Sequence, residues 1–255
     1  IEFTPKRAAA RGTIVAQERV TSDITRLTVK LDAPLDYRAG QFANVTLDRL
    51  PGVTRSYSFA TAPRADGVVT FYVRHVPGGE LSTAVHGESL VGESLAIDGP
   101  QGDFWLRPGN APLVMVAGGS GLPPILAMLE ATNDVRRDVT VVFGVRTEAD
   151  LYAANELRAI EERWEGRFRF VPVFGPVTDA VAAAATTDSE AYLCGPPGMV
   201  DAAAEALAAR GVPRARIRGD RFTTRADVVA SRPAAGVLAY LRYFLFHAIG
   251  LVAAA

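Results

Sequence analysis

The hexapeptide Arg107-Pro108-Gly109-Asn110-Ala111-Pro112 divides the chain into two parts with different hydrophobic rhythms, and this division restricts the fold more than any other feature. It is built mostly from turn formers. Before it lie six short apolar segments at 12–19, 24–31, 42–47, 56–61, 68–76 and 94–98, separated by turn residues. Within 24–31, Leu27, Val29 and Leu31 face one way. With one helical turn near 81–86, these segments predict a small antiparallel β-barrel. After the hexapeptide, β-rich apolar runs at 113–117, 139–145, 168–173 and 191–194 alternate with helical stretches at 123–132, 148–164 and 197–210. That alternation predicts an α/β doubly wound parallel sheet. The alanine-rich run 180–185 reads as helix rather than linker. The expected boundaries are a barrel at 1–106, a linker at 107–112, an α/β domain at 113–222 and an extension at 223–255.

A chain of 255 residues can bury two cores of ordinary size. Its net charge of −1 offers no basic field for nucleic acid. A single cysteine, Cys194, excludes an internal disulfide and a four-cysteine zinc or iron–sulfur site. His75, His86 and His247 are scattered without ligand spacing, so no metal site is expected. Residues 1–11 lack the apolar stretch of a signal peptide, which favours a cytoplasmic protein. Residues 234–255 are apolar except for Arg242 and His247, and match a bilayer span in length. A charge near mid-bilayer is costly, so a docking or amphipathic helix is the first reading, with membrane contact through 234–255 as the second.

Four segments carry chemistry. Arg55-Ser56-Tyr57-Ser58 sets a cation, a flat aromatic and a hydroxyl on one strand. A flavin needs such groups for its phosphate, its ring face and N5, although an ordinary strand can also contain them. The run from Val73 through His75, Gly79, Leu81, Ser82 and Thr83 passes from a strand through a glycine turn into a helix start. Such a start binds pyrophosphate through open N–H groups, or is simply a hairpin with an N-capping Ser. Gly99-Pro100-Gln101-Gly102 reads as a closing turn. Gly118-Gly119-Ser120-Gly121, before Leu122-Pro123-Pro124, lets backbone approach phosphates but lacks the Gly-x-Gly-x-x-Gly spacing of a generic dehydrogenase. Cys194-Gly195-Pro196-Pro197 sits where ligands bind on a parallel sheet; alone, Cys194 reads as a small buried hydrophobe.

In this order, these segments resemble the ferredoxin–NADP reductase superfamily, and within it the reductase components of bacterial oxygenases of the benzoate dioxygenase and methane, phenol or alkene monooxygenase types. The resemblance covers about residues 11–222. It implies that Tyr57 stacks on the flavin ring, Ser58 approaches N5, and Arg55 pairs with the flavin phosphate. Gly79, Leu81 and Ser82 would donate backbone N–H groups to that phosphate, with Val73, His75 and Thr83 in the same binding segment. Gly118, Gly119, Ser120 and Gly121 would cradle the nicotinamide dinucleotide, beside Arg146, Gly195 and Pro196. Cys194 would guide the nicotinamide, and Phe222 would cover the other flavin face, making Ser58, Cys194 and Phe222 the catalytic set. The implied reaction is hydride transfer from NADH to FAD, then one-electron steps to a ferredoxin or [2Fe–2S] domain serving an oxygenase component. Residues 78–83 resemble FAD-binding rather than FMN-binding members. Residues 171–177 hold no cation for a 2′-phosphate, which favours NADH, while Arg146 could reverse that preference. With Cys194 alone and a non-Met start just before the first strand, the expectation is a fragment or split reductase without its own ferredoxin domain. The alternatives are a stand-alone flavin or ferredoxin reductase, a flavohaemoglobin-like reductase portion, and a non-catalytic nucleotide-sensing module.

Overall fold

In β2 (Ile24–Leu31), Leu27, Val29 and Leu31 are buried while Lys30 faces solvent, so the sequence alternation becomes an inside and an outside. The computed structural model describes residues 8–132 and 136–223. The apolar segment 234–255, with His247, lies outside the described residues.

With β2, the strands β1 (Ala8–Arg19), β3 (Phe42–Leu47), β4 (Thr54–Ser58), β5 (Val68–Arg74) and β6 (Ser94–Gln101) form an antiparallel sheet in the order β4-β3-β6-β1-β2-β5. Just past β4, the Ala60 N–H donates to the Thr70 carbonyl at 2.9 Å. That bond draws the two outer strands together and curls the sheet into a half-barrel. Ile14, Leu47, Phe59, Phe71 and Ile97 fill it, and α1 (Glu80–Gly87) inserts Leu81 and Val85.

The second sheet is parallel throughout. Its strands are β7 (Leu113–Gly118), β8 (Val139–Val145), β9 (Phe168–Phe174), β10 (Glu190–Gly195) and β11 (Ile217–Arg221), in the order β11-β10-β7-β8-β9. Every residue of β7 is buried, with Met115 and Ala117 facing one side and Val114 and Val116 the other. The helices α2 (Leu122–Ala131) and α3 (Ala154–Glu162) cover the first side; α4 (Thr178–Ala184) and α5 (Pro197–Ala209) cover the second. Strand order reverses between β7 and β10, which opens a crevice at their carboxyl ends. Ile24, Ala60, Tyr72 and Phe104 of the barrel belong to the same apolar cluster as Leu122, Phe143, Tyr152 and Cys194. This shared core makes the described residues up to Phe222 one compact unit.

Three local expectations change. The stretch 148–164 is not one helix: Thr147 and Asp150 form a capping box that closes the single turn Glu148–Asp150. The chain then runs extended to Ala153, whose φ of 59° redirects it before α3 begins. Residues 99–101 are strand rather than turn, because β6 continues to Gln101 and pairs it with Phe42. The run 213–222, which the resemblance implies is a final strand, is strand only over Ile217–Arg221, since Pro213 starts a turn over Arg214–Arg216.

The segment joining the two sheets is held by Arg137, which is 5% exposed. Its Nε donates to the Ala111 carbonyl at 2.8 Å, and its Nη2 lies 3.2 Å from Glu190 Oε2. Glu190→Ala leaves that buried cation without its carboxylate, so stability should fall by about 3–5 kcal/mol. Urea unfolding checks this; an unchanged midpoint would contradict it.

Among the described residues, no helix is long and apolar enough to cross a membrane, and no cluster of three or more His, Cys, Asp or Glu side chains could hold a metal ion.

Candidate functional site

Pairing of β3 with β4 places Tyr57 opposite Ala43 and Ser58 opposite Phe42. Arg55 and Tyr57 share one side of β4, and the half-buried Tyr57 ring rests on the barrel core 6.4 Å from Phe71. Burial pushes its phenol pKa up. Ser58 is buried. Arg55 Nη1 donates to the Thr54 carbonyl at 2.7 Å, and among the described residues its guanidinium forms no ion pair.

Helix α1 begins without a side-chain cap. The Gly79 N–H is already spent on the Val76 carbonyl at 2.9 Å. The Ser82 hydroxyl is also committed: it accepts the Val76 N–H at 3.1 Å and lies 3.2 Å from the Gly79 carbonyl. The N–H groups of Glu80, Leu81 and Ser82, in the first turn, have no intrahelical acceptor. Val73 and Leu81 are buried, Thr83 is exposed, and the His75 ring stacks on His86 at 5.0 Å. An arginine without a carboxylate, an uncapped helix start and a half-buried aromatic fit a flavin's phosphates and ring.

At the crevice of the parallel sheet, Gly118-Gly119-Ser120-Gly121 leaves β7 and meets Gly195-Pro196 leaving β10. A Cβ on Gly121 would lie 2.2 Å from the Cys194 carbonyl oxygen, so the two loops touch backbone to backbone. Gly195 has φ +146°, a conformation that L side chains rarely adopt. Cys194 is fully buried, and desolvation pushes its thiol pKa well up. Phe222 is half-buried and anchored by its N–H to the Gly195 carbonyl at 2.9 Å. A cleft of about 510 Å³ opens here, lined by Gly118, Gly119, Pro196 and Met199 after the two strands that flank the switch point, and by Arg146, Asp150 and Thr178 after β8 and β9. Its size and its glycine-lined rim fit a dinucleotide. Arg55, Tyr57 and Ser58 do not line this cleft.

Tyr152 and Asp23 gave no signal in the sequence, and Asp220 only that of an acidic residue beside Arg221-Phe222. Tyr152, fully enclosed and raised in pKa by that burial, donates its hydroxyl to the Gly119 carbonyl at 2.9 Å and packs on Tyr72 of the barrel. Asp23, in the β1–β2 turn, holds both Arg74 at 3.1 Å and Arg146 at 3.2 Å through one carboxylate oxygen. Asp220 lines a second cavity of about 380 Å³ with Asp103 and Arg218; burial, then the Asp103 charge, raises its pKa. Tyr152 and Asp23 lie far apart in the chain and follow no local motif.

Residues 11–105 match the oxidoreductase FAD-binding domain, and residues 115–205 match the oxidoreductase NAD-binding domain. The electron transfer component of xylene/toluene monooxygenase from Pseudomonas putida is 39% identical over 228 residues, which are 83% of this chain and 65% of that protein. The reductase component of propane 2-monooxygenase from Mycolicibacterium goodii is 35% identical over 84% of this chain and 68% of its own length. The chain thus spans about two thirds of these relatives. Among solved structures, the Amycolatopsis cytochrome P450 reductase GcoB matches with a TM-score of 0.78 at 31% identity, over 88% of this chain and 72% of that one. The ferredoxin reductase of carbazole 1,9a-dioxygenase matches with a TM-score of 0.75 at 29% identity, over 85% and 70%. The two domain matches fall on the barrel and the parallel sheet in the order their motifs require, so the chain belongs to the family of FAD- and NAD-binding oxidoreductases that includes the reductase components of multicomponent oxygenases.

Proposed function

We propose that this chain takes electrons from NADH onto FAD and delivers them to a ferredoxin or [2Fe–2S] domain that serves an oxygenase. The observation that carries this reading is the apolar core shared by the barrel and the parallel sheet, which holds the two motif-bearing loops in a fixed relation. FAD, when bound, supplies a centre that accepts electrons in pairs and releases them singly. The chain's own residues position and shield it. Arg55 neutralises phosphate charge, the first turn of α1 adds N–H donors, Tyr57 supplies a ring face, and Phe222 covers the opposite one. Ser58 presents a hydroxyl from the barrel edge. The loops at 118–121 and 195–196 seat the nucleotide, with Cys194 buried beneath them as floor. Residues that seat both partners on one rigid frame would lower the orientational cost of the transfer.

The proposed segments are a flavin-binding barrel at 1–106, a linker at 107–112, a nucleotide-binding domain at 113–222 and an extension at 223–255. The reading places the protein in the cytoplasm, with 234–255 as a docking helix or membrane contact. One cysteine cannot ligate a [2Fe–2S] cluster, so these 255 residues need an acceptor that carries one. The purified protein should be yellow, and anaerobic NADH should bleach its flavin absorption. Ferricyanide should then accept the electrons readily, whereas transfer to an oxygenase should wait for an added [2Fe–2S] protein. A colourless protein that neither FAD nor FMN reconstitutes would falsify the reading.

A further inference from the structure

We propose that Asp23, on the barrel, sets the nucleotide preference of the parallel-sheet cleft by holding Arg146 in an ion pair. The inference rests on the NADH reading above and deepens it. In doubly wound folds, a residue near the end of the second strand meets the adenosine ribose: an acid accepts its 2′-hydroxyl, and an arginine accommodates a 2′-phosphate. Here β8 is that strand, and Arg146 follows it directly. Taken from the sequence alone, this arginine points to NADPH.

The fold changes its meaning. Arg146 Nη2 lies 3.2 Å from Asp23 Oδ2 and 3.4 Å from Asp150 Oδ1, and the same Asp23 oxygen also meets Arg74 Nε at 3.1 Å. All four side chains line the 510 Å³ cleft. Their charges, two positive and two negative, cancel, so the rim offers no net attraction to a phosphate dianion. A 2′-phosphate would have to displace two carboxylates from Arg146 and then sit beside them. An uncharged 2′-hydroxyl needs neither change and can donate to Asp150. Asp23 is the better-shielded partner, 23% exposed against 65% for Arg146, so the pair is fixed from the barrel side. Asp150 is bound to the Thr147 N–H and hydroxyl, both at 3.0 Å, and does not travel with Arg146.

The experiment is a double-mutant cycle with Asp23→Asn, Arg146→Ala and the combination. Asparagine keeps the shape of the turn and removes the charge. Two readouts are taken: kcat/KM for NADPH relative to NADH, and calorimetric affinity for adenosine 2′,5′-bisphosphate relative to 5′-AMP. Asp23→Asn should raise both ratios by about tenfold, the effect of one charge-assisted contact. Arg146→Ala alone should shift the ratios by less than about twofold. In the double variant the gain should vanish. Ratios unchanged in Asp23→Asn, or a gain that survives loss of Arg146, overturn the inference while leaving the nucleotide cleft intact. A wild-type chain that neither binds 5′-AMP nor oxidises NADH overturns the nucleotide reading and the inference with it.

Discussion

Arg55→Ala should weaken flavin retention by about 10- to 100-fold, leaving much of the purified protein colourless. A charge-assisted contact to phosphate contributes about 1.5–3 kcal/mol, and each 1.4 kcal/mol is tenfold in Kd. Arg55 is suited to supply it because, among the described residues, no carboxylate pairs with it in the folded chain. Its charge is therefore not already satisfied, unlike that of Arg146. Arg55 is partly exposed, so its loss should leave the barrel folded. Arg55→Lys should recover part of the affinity, since lysine keeps the charge but lacks the planar fork. The check is a FAD titration of the apoprotein together with a thermal melt of each variant. Equal affinities for wild type and Arg55→Ala would remove the phosphate role from this residue.

Gly121→Ala should abolish nucleotide binding and cost about 3 kcal/mol or more of stability. The added Cβ would stand 2.2 Å from the Cys194 carbonyl oxygen, 2.5 Å from its carbon and 2.9 Å from the Gly195 Cα. All three atoms are backbone, and no rotamer change relieves the clash. The end of β10 would have to move away from β7, breaking the pairing of Cys194 with Ala117 at the mouth of the cleft. Gly198, in the first turn of α5 and on the cleft lining, is the stability control: an added Cβ there meets nothing within 4 Å, so Gly198→Ala should leave stability unchanged or raise it by up to about 1 kcal/mol. Thermal unfolding and 5′-AMP calorimetry on both variants decide the matter. A Gly121→Ala protein that melts and binds like the wild type would refute the close-approach argument.

Both sheets are legible in the sequence, because hydrophobic period and turn chemistry are local signals. The alternation of β2, the unbroken apolar run of β7 and the proline-rich start of α2 each reported their element directly. Where local and tertiary demands compete, the tertiary ones prevail. Residues 148–164 carry helical composition, yet the capping box at Thr147–Asp150 and the turned Ala153 break the helix and bury Tyr152 beneath the glycine loop. The glycine turn before α1 carries both local and tertiary demands. The Gly79 N–H and the Ser82 hydroxyl build the turn, while the N–H groups of Glu80, Leu81 and Ser82 stay open.

By itself the sequence determined the order of domains, the motifs at 55–58, 118–121 and 194–197, and the absence of a cysteine set for an iron–sulfur cluster. Those properties follow from residue types at short spacings. Only the tertiary structure decided which charges are free to meet a ligand. Arg55 and Arg146 look alike along the chain, but Asp23, 123 residues before Arg146, neutralises one of them, and no carboxylate among the described residues pairs with the other. Charge pairing depends on distance in space, and the chain folds its barrel against its parallel sheet before that distance exists.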